Sequence, residues 1–274
     1  MKFSKFYPAL LLFAFLCGCG TEAGNEIPAG ADKSPAPSTG PAGRIRGVVR
    51  LQGKAPAPAF EPITENQNVC GDRVAVSRLS VGKDNGVQYA FVYLDDVQSR
   101  EPLHARTSLL VDQKNCQYVP HSLIVPAGSR IEITNSDPIL HNVHAHQITE
   151  QGPQTVFNIA QPTRGQRTSV EASLKPGIVF LTCEAGHPWM SGYVFVANHP
   201  YVSLTGENGD YVIDGVPPGT YHIKMWHEGV FLKRNIKSLQ RYEYEEPYEI
   251  IQEVTVRPNA ETVLNFDLAL RSGT

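Results

Sequence analysis

The sequence predicts an all-β protein built from two β-sandwiches. From residue 43 onward the chain consists of short runs rich in Val, Ile, Phe and Tyr, such as GVQYAFVYLDDV and KPGIVFLTCEAG. Clusters of Gly, Pro, Asn and Asp separate these runs, as is usual where turns join strands. Only FLKRNIKSLQRYEYEE lacks a strand pattern, and it fits either a long loop or a short helix. Short strands at this spacing favour antiparallel sandwiches.

Residues 1–18 have the form of an export signal. Two lysines precede an apolar run, residues 7–16, that is too short to span a bilayer. The segment LCGC that follows resembles a bacterial lipobox, in which Cys19 is acylated and becomes the new N-terminus. Gly20 resembles the signal that routes lipoproteins to the outer membrane. We therefore expect an exported protein, lipid-anchored to the outer membrane and facing the periplasm or the cell surface; an uncleaved membrane anchor is the alternative.

Residues 19–43 predict a flexible linker. They are rich in Ala, Pro, Gly and Ser, as in AGADKSPAPSTGPAG, and such a composition cannot bury a core. The linker would join the lipid to about 230 residues of folded protein, enough for one large or two small domains. The formal net charge of −3 provides no basic surface for nucleic acid. The expected contact is therefore with a membrane and not with nucleic acid.

Three cysteines remain after the signal and the lipidation site, in a compartment where disulfides form. Cys70 and Cys116 lie in polar, turn-like settings, QNVCGD and QKNCQY. A bridge between them would close a loop of about 46 residues and constrain the unfolded chain. Three cysteines allow three different single bridges, so other pairings stay open. In the favoured pairing Cys183 is left as a thiol that needs protection from oxidation, which a metal–thiolate bond would give.

The stretch TCEAGHPWMSGYVFV points to a transition metal. It places Cys183, His187 and Met190 within eight residues, just before an apolar run. Thiolate, imidazole and thioether donors together suit copper. A second imidazole must come from another strand, because one turn cannot surround a metal. The segment SDPILHNVHAH supplies three candidate histidines.

At this point a family resemblance is clear. PAGSRIEITNSDPILHNV, followed by KPGIVFLTCEAGHPWMSGYVFV, resembles the two halves of a cupredoxin, the plastocyanin-like blue copper fold, over roughly residues 109–197. The resemblance implies a Greek-key sandwich and a mononuclear type 1 copper site with four ligands: His141, Cys183, His187 and Met190. It also implies that the Asn142 side chain ties the two ligand loops together. His187, with Pro188 and Trp189 beside it, would be the port through which electrons pass.

Two departures from the family leave alternatives. The short His–Met spacing resembles the dinuclear copper motif of cytochrome oxidase subunit II, but that motif needs a cysteine where this chain has Val179. A second alternative is a His-rich site in which His141, His144 and His146 bind zinc or a non-blue copper without the thiol. In a regular strand His144 and His146 share one face and His141 lies on the other, which disfavours that set. A metal-free, structural role for all these residues is the third alternative.

The last quarter of the chain resembles a different family. SLTGENGDYVIDGVPPGTYHIKMWHEG looks like the second half of a carboxypeptidase regulatory-like domain, a small transthyretin-like or Ig-like β-sandwich without catalytic residues. GRIRGVVRLQGKAPAP resembles the beginning of that family. Two layouts are therefore open. In one, a cupredoxin-like domain over 44–200 precedes a regulatory-like domain over 201–274. In the other, the copper domain is inserted and 44–100 belongs to the second sandwich.

Turn residues separate the predicted strands in the last quarter of the chain. Hairpin-type turns are predicted at Asn208–Gly209 and Pro218–Gly219, and a final pair of strands is predicted about a turn at Pro258–Asn259. His222 and His227 lie in this region without a thiol or regular ligand spacing nearby. We interpret both as surface or interface residues.

The ligand set favours electron transfer over catalysis. Sulfur donors favour Cu(I), while two imidazoles also serve Cu(II), so little has to move when one electron passes. Catalysis by copper needs an open coordination position or a second metal, and the sequence indicates neither. We therefore expect an electron carrier that acts with an unidentified redox protein, and not an enzyme.

Two other functions remain open. A copper storage or delivery protein would be expected to have Met- and His-rich flexible tracts, and this chain has only three Met. A non-redox binding or adhesion lipoprotein would use the regulatory-like sandwich and would normally have lost metal ligands. All four ligands are present here.

Overall fold

The computed structural model describes residues 41–95, 97, 109–170 and 174–271. Residues 41–95 form β1 (Gly43–Leu51), β2 (Phe60–Pro62), the short helix α1 (Gln67–Cys70), β3 (Arg73–Ala75) and β4 (Phe91–Leu94). Residues 109–170 form β5 (Leu109–Lys114), β6 (Gln117–Val119), β7 (Ser122–Pro126), β8 (Ile131–Asn135), β9 (His141–Gln147), β10 (Gln154–Gln161) and β11 (Arg167–Val170). Residues 174–271 form β12 (Gly177–Thr182), β13 (Ser191–Ala197), β14 (Val202–Leu204), β15 (Asp210–Val216), β16 (Gly219–His227), β17 (Leu232–Ile236), β18 (Arg241–Tyr244), β19 (Tyr248–Val256), β20 (Glu261–Val263) and β21 (Phe266–Leu268).

The all-β prediction is confirmed, since α1 and two 3-10 turns are the helical segments of the part described. The predicted export signal, its acylated cysteine Cys19 and most of the linker lie outside the described residues. Where the chain is described, no helix has the length and apolar character needed to cross a bilayer.

The first sandwich is formed by the strands between residues 109 and 197. One sheet has the order β10-β9-β12-β13-β7, and the facing sheet has the order β11-β8-β5-β6. Val111, Ile133, Val143, Val179 and Val194 belong to the apolar core between them. Two of the strand pairs, β13 with β7 and β5 with β8, are parallel, so the antiparallel prediction is wrong for these pairs. Parallel neighbours need long connections, which local turn signals do not specify.

The second sandwich combines the two ends of the described chain. β1 lies between β15 on one side and β20 and β21 on the other, and the facing sheet has the order β14-β4-β16-β19. The alternating burial of β1 directs Ile45 and Val49 into a core shared with Ile213 and Ile223. β1 and β4 thus pair with strands that follow residue 201, whereas β2 and β3 pair with each other. The strands of this sandwich therefore come from both sides of residues 109–197 in the sequence.

The predicted turns exist, but they join different sheets. The turns at Asn208–Gly209 and Pro218–Gly219 connect β14 to β15 and β15 to β16, and each pair of strands is split between the two sheets. The turn at Pro258–Asn259 likewise connects β19 to β20, which do not pair. Turn residues specify a reversal of the chain and leave open whether the next strand joins the same sheet.

The ambiguous segment FLKRNIKSLQRYEYEE is neither a long loop nor a short helix. It forms the hairpin of β17 and β18 around a short 3-10 turn. The hairpin has few buried residues, and it pairs with no other strand of the part described. It contacts the first sandwich at the loop between β12 and β13.

The two sandwiches pack against each other through β13. Every residue of β13 is buried, because Val194 and Val196 point into the first core while Tyr193 and Phe195 point outward. Tyr193 and Phe195 join a cluster that includes Trp226 of β16. A strand buried on both faces has a continuous apolar sequence, as SGYVFVA does.

Candidate metal centre

Three predicted ligands meet inside the first sandwich. His141 is the first residue of β9, and Cys183 directly follows β12, the neighbour of β9 in the sheet. His187 lies in the loop that leads to β13. Cys183 Sγ is 3.9 Å from His141 Nδ1 and 3.7 Å from His187 Nδ1, and the two Nδ1 atoms are 3.2 Å apart. All three side chains are buried.

These separations fit one transition-metal ion. With metal–nitrogen bonds of about 2.0–2.1 Å and metal–sulfur bonds of about 2.3 Å, donor atoms around one ion lie roughly 3–4 Å apart. The set of two imidazoles and one thiolate is the equatorial set of a blue copper centre. A weak axial donor would complete it, and the buried Met190 belongs to the same core cluster as Cys183. The axial role of Met190 stays a prediction.

The loop from Cys183 to Met190 is closed by its own backbone. Cys183 N donates to Met190 O at 3.3 Å, and Met190 N donates to His187 O at 3.0 Å. Gly186 adopts a φ of +86°, and a side chain there would collide with Glu65. The glycine in CEAGH therefore permits the bend that turns His187 back toward Cys183.

Asn142 links the two ligand segments. Its Oδ1 accepts a hydrogen bond from Glu184 N at 2.6 Å, and its Nδ2 donates to Asn158 Oδ1 at 2.8 Å. The Asn142 side chain thus connects β9 to the residue that follows Cys183.

Asp137 is a positioning residue that the sequence analysis missed. Its Oδ2 accepts from His141 Nε2 at 2.9 Å, and its two oxygens also accept from the backbone N–H groups of Asn115 and Cys116, each at 2.8 Å. A carboxylate on the far nitrogen fixes the tautomer of a ligand histidine and leaves Nδ1 for the metal. The spacing Asp-x3-His in SDPILHN was the available signal.

Burial sets the protonation of the metal-free site. Burial raises the pKa of Cys183 to about 11, although backbone N–H groups at Asn142 and Ala185 oppose the shift. Burial and the neighbouring His141 lower the pKa of His187 to about 4, and burial lowers the pKa of His141 as well. At neutral pH the imidazoles are therefore ready to bind, and the thiol must release its proton to bind a metal.

Of the three residues of the predicted electron port, His187 is buried, whereas Pro188 and Trp189 are half-buried. His187 has no exposed area, and its Nε2 lies 3.2 Å from Asn66 Nδ2. Asn66 belongs to residues 63–71, here called the cap segment, which includes α1. Pro188 O accepts from Tyr242 N of β18, and Trp189 Nε1 donates to Cys116 O at 3.1 Å. The expectation that His187 reaches the surface does not hold, because the cap segment and β18 cover the loop.

A disulfide secures the cap segment against the site. Cys70 and Cys116, the favoured pair, form a disulfide, and Cys183 is free and buried. The sulfur atoms of both cysteines and a nitrogen of His187 lie within 4.8 Å of one another. The bridge thus anchors the cap segment directly beside His187, a predicted metal ligand.

His144 and His146 lie on the opposite face of β9 from His141. Their rings are 3.9 Å apart, and both are near Glu184. The structure does not bring them together with His141, so the three-histidine alternative has no common site. His222 is exposed on β16, whereas His227 is buried and its Nδ1 donates to Glu228 O at 2.8 Å.

Comparisons with known proteins give partial structural similarity only. No family profile matches the chain, and no curated protein matches it. A copper-containing nitrite reductase from Thermus scotoductus is 22% identical at a TM-score of 0.27, over 37% of this chain and 24% of that chain. A purple cupredoxin from Nitrosopumilus maritimus is 23% identical at 0.28, over 32% of this chain and 99% of that chain. Amicyanin from Paracoccus versutus is 20% identical at 0.29, over 39% of this chain and 97% of that chain. TM-scores and identities this low do not indicate a function for this chain. The function proposed below rests on the side chains of the site.

Proposed function

We propose that this chain is an exported copper-binding lipoprotein whose mononuclear type 1 site carries single electrons. The observation that supports this most directly is the buried set of His141, Cys183 and His187, whose donor atoms are spaced for one ion. No residue in this role is exposed to a substrate. We therefore propose a carrier and not an enzyme.

The protein's contribution is to hold the donors in one arrangement. Copper, when bound, supplies a couple that accepts and returns one electron. Asp137 fixes the orientation of His141, and Asn142 holds the Cys183 segment against β9. The hydrogen-bonded loop from Cys183 to Met190 keeps His187 in place. Rigid donors reduce the movement required when the charge of the site changes, which favours rapid transfer.

The remaining assignments belong to the same proposal. The second sandwich would be a carboxypeptidase regulatory-like domain into which the copper domain is inserted, and Cys19 would carry the lipid at the outer membrane. The strand pairing of β1 with β15, β20 and β21 supports the insertion. A redox protein would be the partner.

Enclosure of the site favours retention of copper over delivery. The three donors have at most 1% exposed area, and the cap segment covers His187. A delivery protein has to hand its ion to a partner's ligands, which requires an accessible donor. Retention by buried donors is what an electron carrier requires.

Visible absorption of the copper-loaded, oxidised chain tests the proposal. Cys183 bonded to Cu(II) should give an intense thiolate charge-transfer band that ascorbate bleaches and reoxidation restores. Cys183→Ser should lose the band and keep the β circular dichroism spectrum. A colourless oxidised chain with stoichiometric copper would refute the type 1 site.

A further inference from the structure

A second group of donor side chains lies on the outer face of the five-stranded sheet. His144 and His146 occupy alternate positions of β9, and Glu184 is the residue after Cys183. One donor atom of each lies within 4.8 Å of those of the other two. The side chains of His144 and Glu184 are 15% and 32% exposed, so an ion could reach the group from solvent.

Both imidazoles are oriented as in metal sites. His144 Nε2 lies 2.8 Å from Thr155 Oγ1, and His146 Nε2 lies 3.3 Å from Thr182 Oγ1. Ligand histidines in proteins hold their second nitrogen with an oxygen partner, which fixes the ring and frees the other nitrogen. In the tautomer in which each Nε2–H donates to its threonine, Nδ1 of each ring is left for a metal.

His144 and Glu184 are within ion-pair distance, but their contact does not have hydrogen-bond geometry. His144 Nδ1 lies 3.0 Å from Glu184 Oε1, yet this buried nitrogen has no hydrogen-bond partner. Adjacent donors around an ion with bonds of about 2.0–2.2 Å are roughly 3 Å apart. The separation therefore suits two ligands that share one ion.

We propose that His144, His146 and Glu184 form a second metal site that binds a divalent first-row ion such as zinc. Two imidazoles and a carboxylate are suitable for zinc, copper(II) or iron(II), and the absence of a thiol separates this set from the copper set. Three protein ligands leave a coordination position for water or an external ligand. The two sites are joined covalently by the Cys183–Glu184 peptide.

Zinc stoichiometry of the full chain tests the second site. The chain is loaded with one equivalent of copper, freed of excess metal and dialysed against zinc at about 10 μM, and the bound zinc is then measured by elemental analysis. Wild type should retain one zinc per chain. Glu184→Gln and His146→Ala should each weaken zinc binding more than ten-fold, while His222→Ala, which removes an exposed histidine elsewhere, should bind as wild type does.

The comparison of wild type with Glu184→Gln is independent of what fills the copper site. If zinc also occupies the first site, wild type should hold one zinc more than Glu184→Gln. Glu184→Gln retains the backbone N–H that Asn142 accepts from, so circular dichroism should show a folded chain. Equal zinc contents in folded wild type and Glu184→Gln, or no zinc beyond the first site in wild type, would overturn the proposal.

Discussion

The histidines of β9 have different roles because alternate residues of a strand face opposite sides. His141 points into the first sandwich and meets Cys183, whereas His144 points outward and meets Glu184. His141→Ala should remove a strong ligand and abolish the thiolate band. Copper affinity should fall more than about 100-fold, because even the loss of a residue that only hydrogen-bonds a ligand lowers metal affinity about 10–100-fold. His144→Ala should keep the band. Copper titration followed by visible absorption distinguishes the two variants. Loss of the thiolate band in His144→Ala but not in His141→Ala would contradict the ligand assignment.

Asp137 is the carboxylate that orients His141. Asp137→Asn retains the size of the side chain but removes the charge that accepts three N–H groups. We expect copper affinity to fall about 10–100-fold, with the thiolate band still present. Competition with a copper chelator measures this. Asp214→Asn, at an exposed carboxylate paired with Arg44, is the matched control and should leave copper affinity unchanged. An equal loss of copper affinity in both variants would show that Asp137 has no positioning role.

Met190 is buried in the core beside Cys183, so its replacement has two separable effects. Met190→Gln puts a harder oxygen donor in the axial position and should lower the reduction potential, because the soft sulfur favours Cu(I). The buried amide should also cost about 1–3 kcal/mol of folding free energy. Voltammetry and thermal melting of the metal-free form measure the two. Met225→Gln, equally buried in the second core, should lose stability without a change in potential; an unchanged potential in Met190→Gln would make Met190 structural.

At the residue scale, the sequence predicts donor atoms better than the groups that hold them. Cys183, His187 and Met190 are recognisable because one loop contains them all. Asn66 and Asp137 escape detection because their role depends on contacts made only in the folded chain. Asn66, for example, lies 121 positions from the ligand His187 that it covers. The exposure of His187 was predicted wrongly for the same reason.

At the scale of elements, the cap segment covers His187, and we expect it to limit access to that side chain. Asn66 adopts a left-handed conformation, with φ of 54°, that asparagine tolerates better than most residues. Asn66→Ala removes the amide beside His187 Nε2 and should destabilise the closed position of the cap segment. We expect faster removal of copper by a chelator, by several-fold, with little change in the visible spectrum. Asn235→Ala, at an exposed asparagine of β17, is the control; equal release rates in both variants would show that the cap segment does not limit exchange.

Strand pairing is the part of the fold that local sequence leaves undetermined. β14, β15, β19 and β20 begin or end close to their predicted turns, but none pairs with the strand on the other side of its turn. The preference for a turn is local, whereas the choice of a partner depends on which apolar face is buried. The hairpin of β17 and β18 was unpredicted because its residues are mostly charged or half-exposed.

At the scale of the whole molecule, a buried ionic cluster joins the two sandwiches. Arg78 Nη1 lies 3.2 Å from Glu228 Oε2 and donates to Tyr193 Oη at 3.1 Å, and Glu228 also contacts His121. The Arg78 guanidinium lies 3.4 Å from the centre of the Tyr244 ring. Tyr193 and His121 belong to the first sandwich. The cluster thus connects the first sandwich to residues that precede it and follow it in the sequence.

Glu228→Gln tests this interface. Burial raises the pKa of Glu228, but His121 and Arg78 outweigh it, so the pKa is lowered from 4.5. Its charge therefore stabilises the fold above pH 4.5, and this contribution is lost as the pH falls below that value. Glu228→Gln leaves Arg78 unpaired and should cost about 3–5 kcal/mol at pH 7 by denaturant unfolding, with less acid sensitivity than wild type. Glu253→Gln, at an exposed site on β19, should unfold as wild type does; a loss below about 1 kcal/mol in Glu228→Gln would exclude a stabilising role for the cluster.

The cover over His187 changes which part of the molecule a redox partner would recognise. The side chain of His187 ends at Asn66, and the adjacent loop meets Glu65 and the backbone of Tyr242. These contacts come from segments outside the copper-binding sandwich, one between β1 and β4 and the other in the β17–β18 hairpin. Under the proposed function, docking specificity and the ligand set would therefore be encoded in different parts of the chain. We expect substitutions on the outer surface of the cap segment to change which redox partner binds. The visible absorption and the reduction potential of the copper site should stay unchanged.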